Sequence, residues 1–203
     1  MSIDVKKILS IPQIYLAAMR FVGGTARSYH ITNNIRPAAG MRILDVGCGP
    51  ADIIEQLPSD IEYVGIDIEP NYVDYARERF GHRAQFFCED VVDFALKTEG
   101  TFDVVLASGL LHHLNDEQSI KLMTMAKKAL RSGGRFITWD GCYKDKQAWS
   151  DRWMLRNDRG KFVRTQDQYL NLARTVFSDI DVMLRDDLLR IPYTILAMMC
   201  TKE

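Results

Sequence analysis

The decisive stretch is residues 43–52, Ile43-Leu44-Asp45-Val46-Gly47-Cys48-Gly49-Pro50-Ala51-Asp52. Arg42 to Val46 is a short apolar run that suits a buried strand, and it breaks at once into glycines. A glycine-rich turn between strand and helix lets a ligand approach the backbone where a side chain would collide. Dinucleotide dehydrogenases and flavoproteins use such turns too, so the neighbouring residues must discriminate. Asp45 ends the strand just ahead of the glycines. A carboxylate there repels an anionic pyrophosphate but welcomes a cationic amino-acid end or a sulfonium. The spacing is also GxGxA, not the GxGxxG of pyrophosphate binding.

Outward from this turn the pattern alternates. Ala51 to Leu57 reads as a helix closed by Pro58, and Glu62 to Ile66 as a strand with Asp67 at its tip. Pro70 opens a helix, PNYVDYARERF, that Gly81 ends. Ala84 to Cys88 is a third strand, followed by Glu89-Asp90 and a short helix from Val91 to Lys97. Asp103 to Ala107 is a fourth. Asn115 and Gln118 form a capping box for a helix running to Arg131. Ser132-Gly133-Gly134 then turns the chain into a fifth strand, Arg135 to Trp139. Upstream, Ser10 and Gln13 box a helix through Val22, stopped by Gly23-Gly24, and a second short helix occupies Ala26 to Ile35. Downstream, residues 141–164 read as irregular, and Thr165 caps a helix from Gln166 to Val176. Strand patterns at Ile180 to Leu184 and Thr194 to Thr201 lie close enough to pair antiparallel.

Alternation of this kind specifies an α/β three-layer sandwich, a mostly parallel sheet with helices on both faces. Three acids, Asp45, Asp67 and Asp90, follow three successive strands and so line one sheet edge. Ligands of open α/β sheets bind at that carboxyl edge. Asp67 can accept both hydroxyl hydrogens of a ribose, and Asp90 can accept from an adenine amino group.

The segments ILDVGCGPAD, VGIDIEP, CEDVVDF, FDVVLASGLLHHLND and LRSGGRFITWD resemble the successive motifs of class I, Rossmann-like S-adenosylmethionine-dependent methyltransferases. The resemblance spans residues 41–140. It implies a seven-stranded sheet with the last strand antiparallel, and S-adenosyl-L-methionine as cofactor with S-adenosyl-L-homocysteine as product. It implies Gly47 and Gly49 under the methionine moiety, Asp67 on the ribose and Asp90 near the adenine. Asp45, Cys48, Ile68, Val91 and Ser108 complete the expected cofactor set. Ala51 departs from the family's frequent third glycine and is small enough for binding to survive. Cys48 has no adjacent base or cation in sequence and reads as a passive small residue.

Methyl transfer requires alignment of nucleophile, carbon and sulfur, plus a base where the acceptor must lose a proton. The candidates are His112 and His113 after strand four, and Asp140 after strand five. The histidines otherwise pack against or cap the next helix, and Asp140 otherwise caps. The acceptor is expected at Tyr143, Trp149, Trp153, Arg159 and Arg164, in a segment with a local excess of four positive charges between Tyr143 and Arg164. Guanidinium forks suit carboxylate or phosphate, so a small acidic molecule with an O or N nucleophile fits. The competing reading is a solvated lid with packed tryptophans. The segment Pro12 to Val22 closes the other side, with Arg20, Tyr29 or Gly23-Gly24 near the methionine end.

The chain has 203 residues, 47% of them hydrophobic, and a net charge of −1. One domain over 1–203 is expected, with a helical cap at 1–36 and an acceptor-binding or lid segment at 141–176. Near-neutral charge disfavours nucleic-acid partners. The four scattered cysteines fit neither a zinc site nor a disulfide framework. With no apolar run long enough to span a bilayer and no signal peptide, a cytoplasmic protein with no metal and no membrane partner is expected. The rival readings are an RNA-modifying methyltransferase, another cofactor chemistry on the same scaffold, and a non-catalytic cofactor-binding protein.

Overall fold

A computed structural model describes residues 12–90, 99–158 and 160–203, apart from the side chains of Tyr15 and Ala18. Ser10 of the first capping box, the helix expected from Val91 to Lys97, Val91 itself and Arg159 lie outside the described residues.

The strands, in chain order, are β1 Arg42–Val46, β2 Glu62–Asp67, β3 Ala84–Cys88, β4 Phe102–Ser108, β5 Leu130–Tyr143, β6 Arg164–Thr165, β7 Asp179–Arg185 and β8 Ile195–Thr201. Their order across the sheet is β3-β2-β1-β4-β5-β8-β7, with the two-residue β6 pairing separately on β5. β8 runs antiparallel to both β5 and β7, and the other pairs are parallel. The sheet thus has eight strands where seven were expected. The extra one, β6, is too short to carry an alternating pattern.

The helices are α1 Pro12–Val22, α2 Ala26–Tyr29, α3 Pro70–Phe80, α4 Asp116–Ala129, α5 Trp149–Arg156 and α6 Gln166–Arg174. In β1, Ile43 and Leu44 point to opposite faces and are both essentially inaccessible. Leu44 joins a core with Leu122 and Met123 of α4 and Tyr169 of α6. Ile43 joins one with Val73 and Phe80 of α3. Covering both faces is why the strands read as continuous apolar runs, and each fully buried Ile or Leu contributes roughly 1.5–3 kcal/mol. Asn115 and Gln118 exchange the two bonds of a capping box at the start of α4, and Thr165 with Gln168 does the same for α6.

Four local differences from the sequence reading have physical causes. Ala26 to Ile35 is not one α-helix, because α2 passes into a π-turn at His30–Ile35 that Arg36 ends in the left-handed region at φ 51°. Ala51 also takes a left-handed conformation, at φ 54°, so the following turn starts late and closes as a 3-10 helix, Asp52–Gln56. Ser132-Gly133-Gly134 does not end α4's connection in a loop. Gly133 (φ 73°) donates to Lys202 O and Gly134 O accepts from Lys202 N, so the kink stays inside β5 as an irregularity. Finally α5 falls in the stretch read as irregular. Its inward positions are Asp151 and Leu155, and an aspartate there hides the helix from an apolar-pattern reading.

The cap is tied down by backbone bonds to the loop between β7 and β8: Thr25 N donates to Leu188 O and Arg190 N to Val22 O. Ala26 packs there with Leu188 and Ile195. Sheet order reverses between β1 and β4, and the cap, this loop and α5 surround the carboxyl edge.

Candidate cofactor cleft and the His112–Asp140 pair

Parallel register places Val46 opposite Ile66 and Asp67 opposite Cys88, so the glycine turn, Asp67 and the end of β3 share one level. Gly47 and Gly49 have φ of 71° and 54°. A Cβ at Gly47 would sit 3.3 Å from Leu110, so this glycine allows the β1 and β4 loops to meet. A Cβ at Gly49 would meet nothing within 4 Å. Gly49 faces open space, and its N–H is donated at 2.8 Å to Asp67 Oδ2. Asp67 Oδ1 accepts from Glu69 N at 2.9 Å. The carboxylate is thereby fixed beside the opening, although burial raises its pKa above the ordinary carboxylate value.

Ile68 follows with 76% of its surface exposed, an apolar side chain next to the fixed carboxylate. Asp90 is exposed beyond β3, beside Cys88, whose Sγ lies 3.8 Å from Ile68 O. This donor set suits an adenosine: an acid for ribose hydroxyls, an apolar surface for a base, and bare backbone at a glycine.

Asp45 lies deeper than the sequence reading placed it. It is 5% exposed and accepts the Tyr63 hydroxyl at 2.6 Å. Burial, opposed by that bond, pushes its pKa up to about 7. Cys48 packs its sulfur against Gly65, where a Cβ would lie 2.8 Å away, and burial raises its thiol pKa well above normal. It is a neutral packing group and no nucleophile.

Ser108 ends β4 and meets a residue the sequence reading passed over. His30 Nε2 lies 3.3 Å from Ser108 Oγ, and Asn34 Nδ2 donates to His30 Nδ1 at 3.0 Å. The proton is therefore on Nε2 and points at the serine. Burial lowers the His30 pKa to about 3, so the ring is neutral. Its ring packs 4.3 Å from that of Trp139. The only sequence signal was the His-Asn spacing of four within an apolar turn.

His112 and Asp140 come together. His112, in a 3-10 turn (Leu111–His113) after β4, is 7% exposed, and Asp140 in β5 is 3% exposed. Asp140 Oδ1 lies 2.8 Å from His112 Nδ1 and accepts the His112 backbone N–H at 3.2 Å. Asp140 Oδ2 is buried without a hydrogen-bond partner among the described residues. His112 Nε2 faces Asp158 Oδ1 at 3.7 Å, and the Tyr193 hydroxyl donates to Asp158 Oδ2. Gly160 seats the same segment on the ring, since a Cβ there would fall 2.0 Å from His112 Cδ2. His113 is exposed, with its ring 4.2 Å from that of His112. Asp140 is thus a buried partner of His112 behind the cleft. Asp158, Gly160 and Tyr193 were not singled out; nothing in their local pattern marks a contact made only by the fold.

The expected acceptor residues separate. Arg164 is 6% exposed and fully engaged. Its guanidinium donates to Asp116 Oδ1 and to the carbonyls of Leu111, Leu114 and Phe162. No donor is left for an acceptor anion, which corrects the sequence reading: Arg164 pins the segment after α5 to the β4–α4 connection. Trp149 and Trp153 are 82% and 58% exposed and do not pack into the cleft. Tyr143 is half-buried under the Arg152 guanidinium, 5.6 Å away. On the cap, Arg20 pairs with Glu55, and Tyr29 stacks with Arg185.

An acid-tipped edge, an open glycine turn and this strand order define the class I methyltransferase architecture. Residues 43–134 match the family described as "Methyltransferase domain". Phosphoethanolamine N-methyltransferase 1 of Triticum aestivum is 29% identical over 139 residues, covering 66% of this chain and 28% of that protein. The chain thus spans little more than a quarter of that relative's length. Among solved structures, Haemonchus contortus phosphoethanolamine N-methyltransferase 2, in complex with phosphomonomethylethanolamine and S-adenosylhomocysteine, superposes with a TM-score of 0.76 at 16% identity, over 98% of this chain and 59% of that one. The [4+2]-cyclase SpnF superposes with a TM-score of 0.77 at 15% identity, over 98% and 95%. Residues 43–134 thus match a methyltransferase domain, and the chain as a whole has the class I, Rossmann-like fold of S-adenosylmethionine-dependent methyltransferases.

Proposed function

We propose that the chain transfers a methyl group from S-adenosylmethionine to a small molecule carrying an O or N nucleophile. The observation that carries this reading is Gly49, open to the cleft on one side and bonded to the ribose-ready Asp67 on the other. Asp67 accepts the ribose hydroxyls, Ile68 and Asp90 hold the base, and the Gly47–Gly49 backbone receives the methionine moiety. Ser108, oriented by neutral His30, lies on the same edge. When bound, the cofactor supplies a methyl group activated by a sulfonium.

On the acceptor side, Asp140 holds His112 by Nδ1 and leaves Nε2 to take the acceptor's proton. His112 is the proton acceptor and Asp140 a positioning residue. Asp158, Gly160 and Phe162, which lie against His112, are the part that must lift to admit the acceptor. Relatives named for phosphoethanolamine support an acceptor with an acidic group and an amine.

The same fold also carries a [4+2]-cyclase, and fold alone does not fix chemistry. Turnover does. Incubation with S-adenosylmethionine and a panel of phosphorylated amines and phenols should release S-adenosylhomocysteine with at least one acceptor, and His112→Ala should abolish the release. Cofactor binding with no turnover on any acceptor would leave a non-catalytic binding protein as the better reading.

A further inference from the structure

Trp149 and Trp153 need another explanation once they are removed from the cleft. Helix α5 is pinned on its inner face. Asp151 accepts from Thr194 N at 3.0 Å and from the Thr194 hydroxyl, and Leu155 is 1% exposed. These two anchors are four residues apart and fix the helix's rotation. Its outer face is then Trp149, Arg152, Trp153 and Arg156, spaced i, i+3, i+4 and i+7, and all four are exposed. Neither Arg152 nor Arg156 has an acidic partner among the described residues; Arg152 lies over Tyr143. Lys146, just upstream, is exposed and unpaired as well, while Asp145 is the neighbouring exposed acid.

A face of two open tryptophans alternating with two unpaired guanidinium groups is costly to leave in water and fits a specific surface. Indole rings favour the boundary between hydrocarbon and headgroup, and guanidinium groups beside them meet anionic headgroups. We propose that α5 docks the protein on an anionic lipid surface, with Trp149 and Trp153 entering the interface and Arg152 and Arg156 on the lipid phosphates. Charge complementarity selects this occupant: an unpaired cationic face bars association with a second copy of itself, whose face bears the same charges. The docking is peripheral. Among the described residues no helix is long and apolar enough to cross a membrane. Because α5 flanks the carboxyl edge, docking would bring the cleft to the membrane surface. The proposal does not depend on the acceptor's identity.

The test is flotation of the full chain with two kinds of vesicle, mixed phosphatidylglycerol–phosphatidylcholine and phosphatidylcholine alone. Binding to the mixed vesicles is expected, weakened by salt, together with a blue shift of tryptophan fluorescence. Arg152→Ala/Arg156→Ala should lower partitioning roughly thirtyfold, the effect of two interfacial cations. Trp149→Ala/Trp153→Ala should remove both the blue shift and most of the binding, with unchanged circular dichroism. Failure to float with anionic vesicles at low salt overturns the proposal. So does binding that both double variants retain. Concentration-dependent dimerisation lost in the tryptophan variant would overturn it in favour of a self-interface. Variants that alter the Michaelis constant of a soluble acceptor, in a protein that ignores vesicles, would return this face to the acceptor site.

Discussion

Asp140 Oδ1 stands 2.8 Å from His112 Nδ1 and also takes the His112 backbone N–H, so one carboxylate oxygen fixes both the ring and the turn that carries it. The pair joins β5 to the end of β4, across the strands that flank the cleft. A ring held this way directs Nδ1 at Asp140 and Nε2 toward Asp158.

Asp140→Asn should therefore impair turnover without touching the cofactor. The expected loss in kcat is about 10²-fold, within the range of a misdirected general base. The cofactor's Kd should stay within twofold. The pH–rate profile separates positioning from scaffolding: its acid limb should move in Asp140→Asn, whereas His112→Ala should leave no turnover to profile. An unchanged profile in Asp140→Asn would show that the carboxylate only supports the fold.

Gly160 offers a geometric test of the lid's seat. Gly160→Ala places a Cβ 2.0 Å from His112 Cδ2 and 2.7 Å from His112 O. The segment must lift, at a cost of about 1–3 kcal/mol. In a His112→Ala background the ring clash is gone and the penalty should shrink, though not to zero, since the carbonyl remains. Equal destabilisation in both backgrounds, measured by denaturant unfolding, would mean that the segment does not rest on this ring.

Arg164→Ala removes the donors that satisfy three backbone carbonyls and Asp116. Buried carbonyls left without donors should cost about 2–4 kcal/mol, or a Tm lower by roughly 4–16 °C for a chain this size. Arg164→Lys should recover little, because one ammonium cannot reproduce the fork. A variant as stable as the parent but with a raised acceptor KM would instead restore Arg164 to acceptor binding.

How much of this was legible beforehand follows from where the determinants lie. Strands β1 to β4, the Asn115–Gln118 capping box and the Thr165 cap announce themselves through local pattern, as do Gly49 and Asp67. The Arg164 assignment failed because a guanidinium's partners, here Leu111, Leu114 and Asp116, are distant in sequence. His30 was invisible for the same reason, since its meaning comes from Ser108 at a separation of 78 residues. Helix α5 was missed because its inner face is held by Asp151 and Thr194, a polar anchor that hydrophobic periodicity does not register. Asp45 was legible at its strand end, but its burial and its bond from Tyr63 are properties of packing that local pattern does not carry.

Asp45 gives a pH dependence with a definite sign. Its folded-state pKa of about 7 lies above the ordinary value of 3.8. Between those values the folded chain holds a proton that the unfolded chain has released. Stability from this group is therefore greatest below the lower value, falls as pH rises through the window, and levels off above about 7. Neutral His30, its pKa lowered to about 3, acts with the opposite sign over this range, so the test is comparative: the Tm at pH 5 minus the Tm at pH 8 should be larger in the parent than in Asp45→Asn. A steeper fall in the variant would contradict the assignment.

Calorimetric titration of S-adenosylmethionine and S-adenosylhomocysteine into the parent chain, Asp67→Ala and Gly49→Ala tests the central claim most directly. Gly49→Ala is informative because its Cβ meets no protein atom within 4 Å, so beyond about 1–2 kcal/mol of left-handed backbone strain any loss comes from the ligand's space. The account predicts binding of both ligands to the parent, a loss of about 1.5–3 kcal/mol per charge-assisted bond in Asp67→Ala, and a weaker Kd in a folded Gly49→Ala. No heat of binding to the parent chain, or an unchanged Kd in both folded variants, would contradict it.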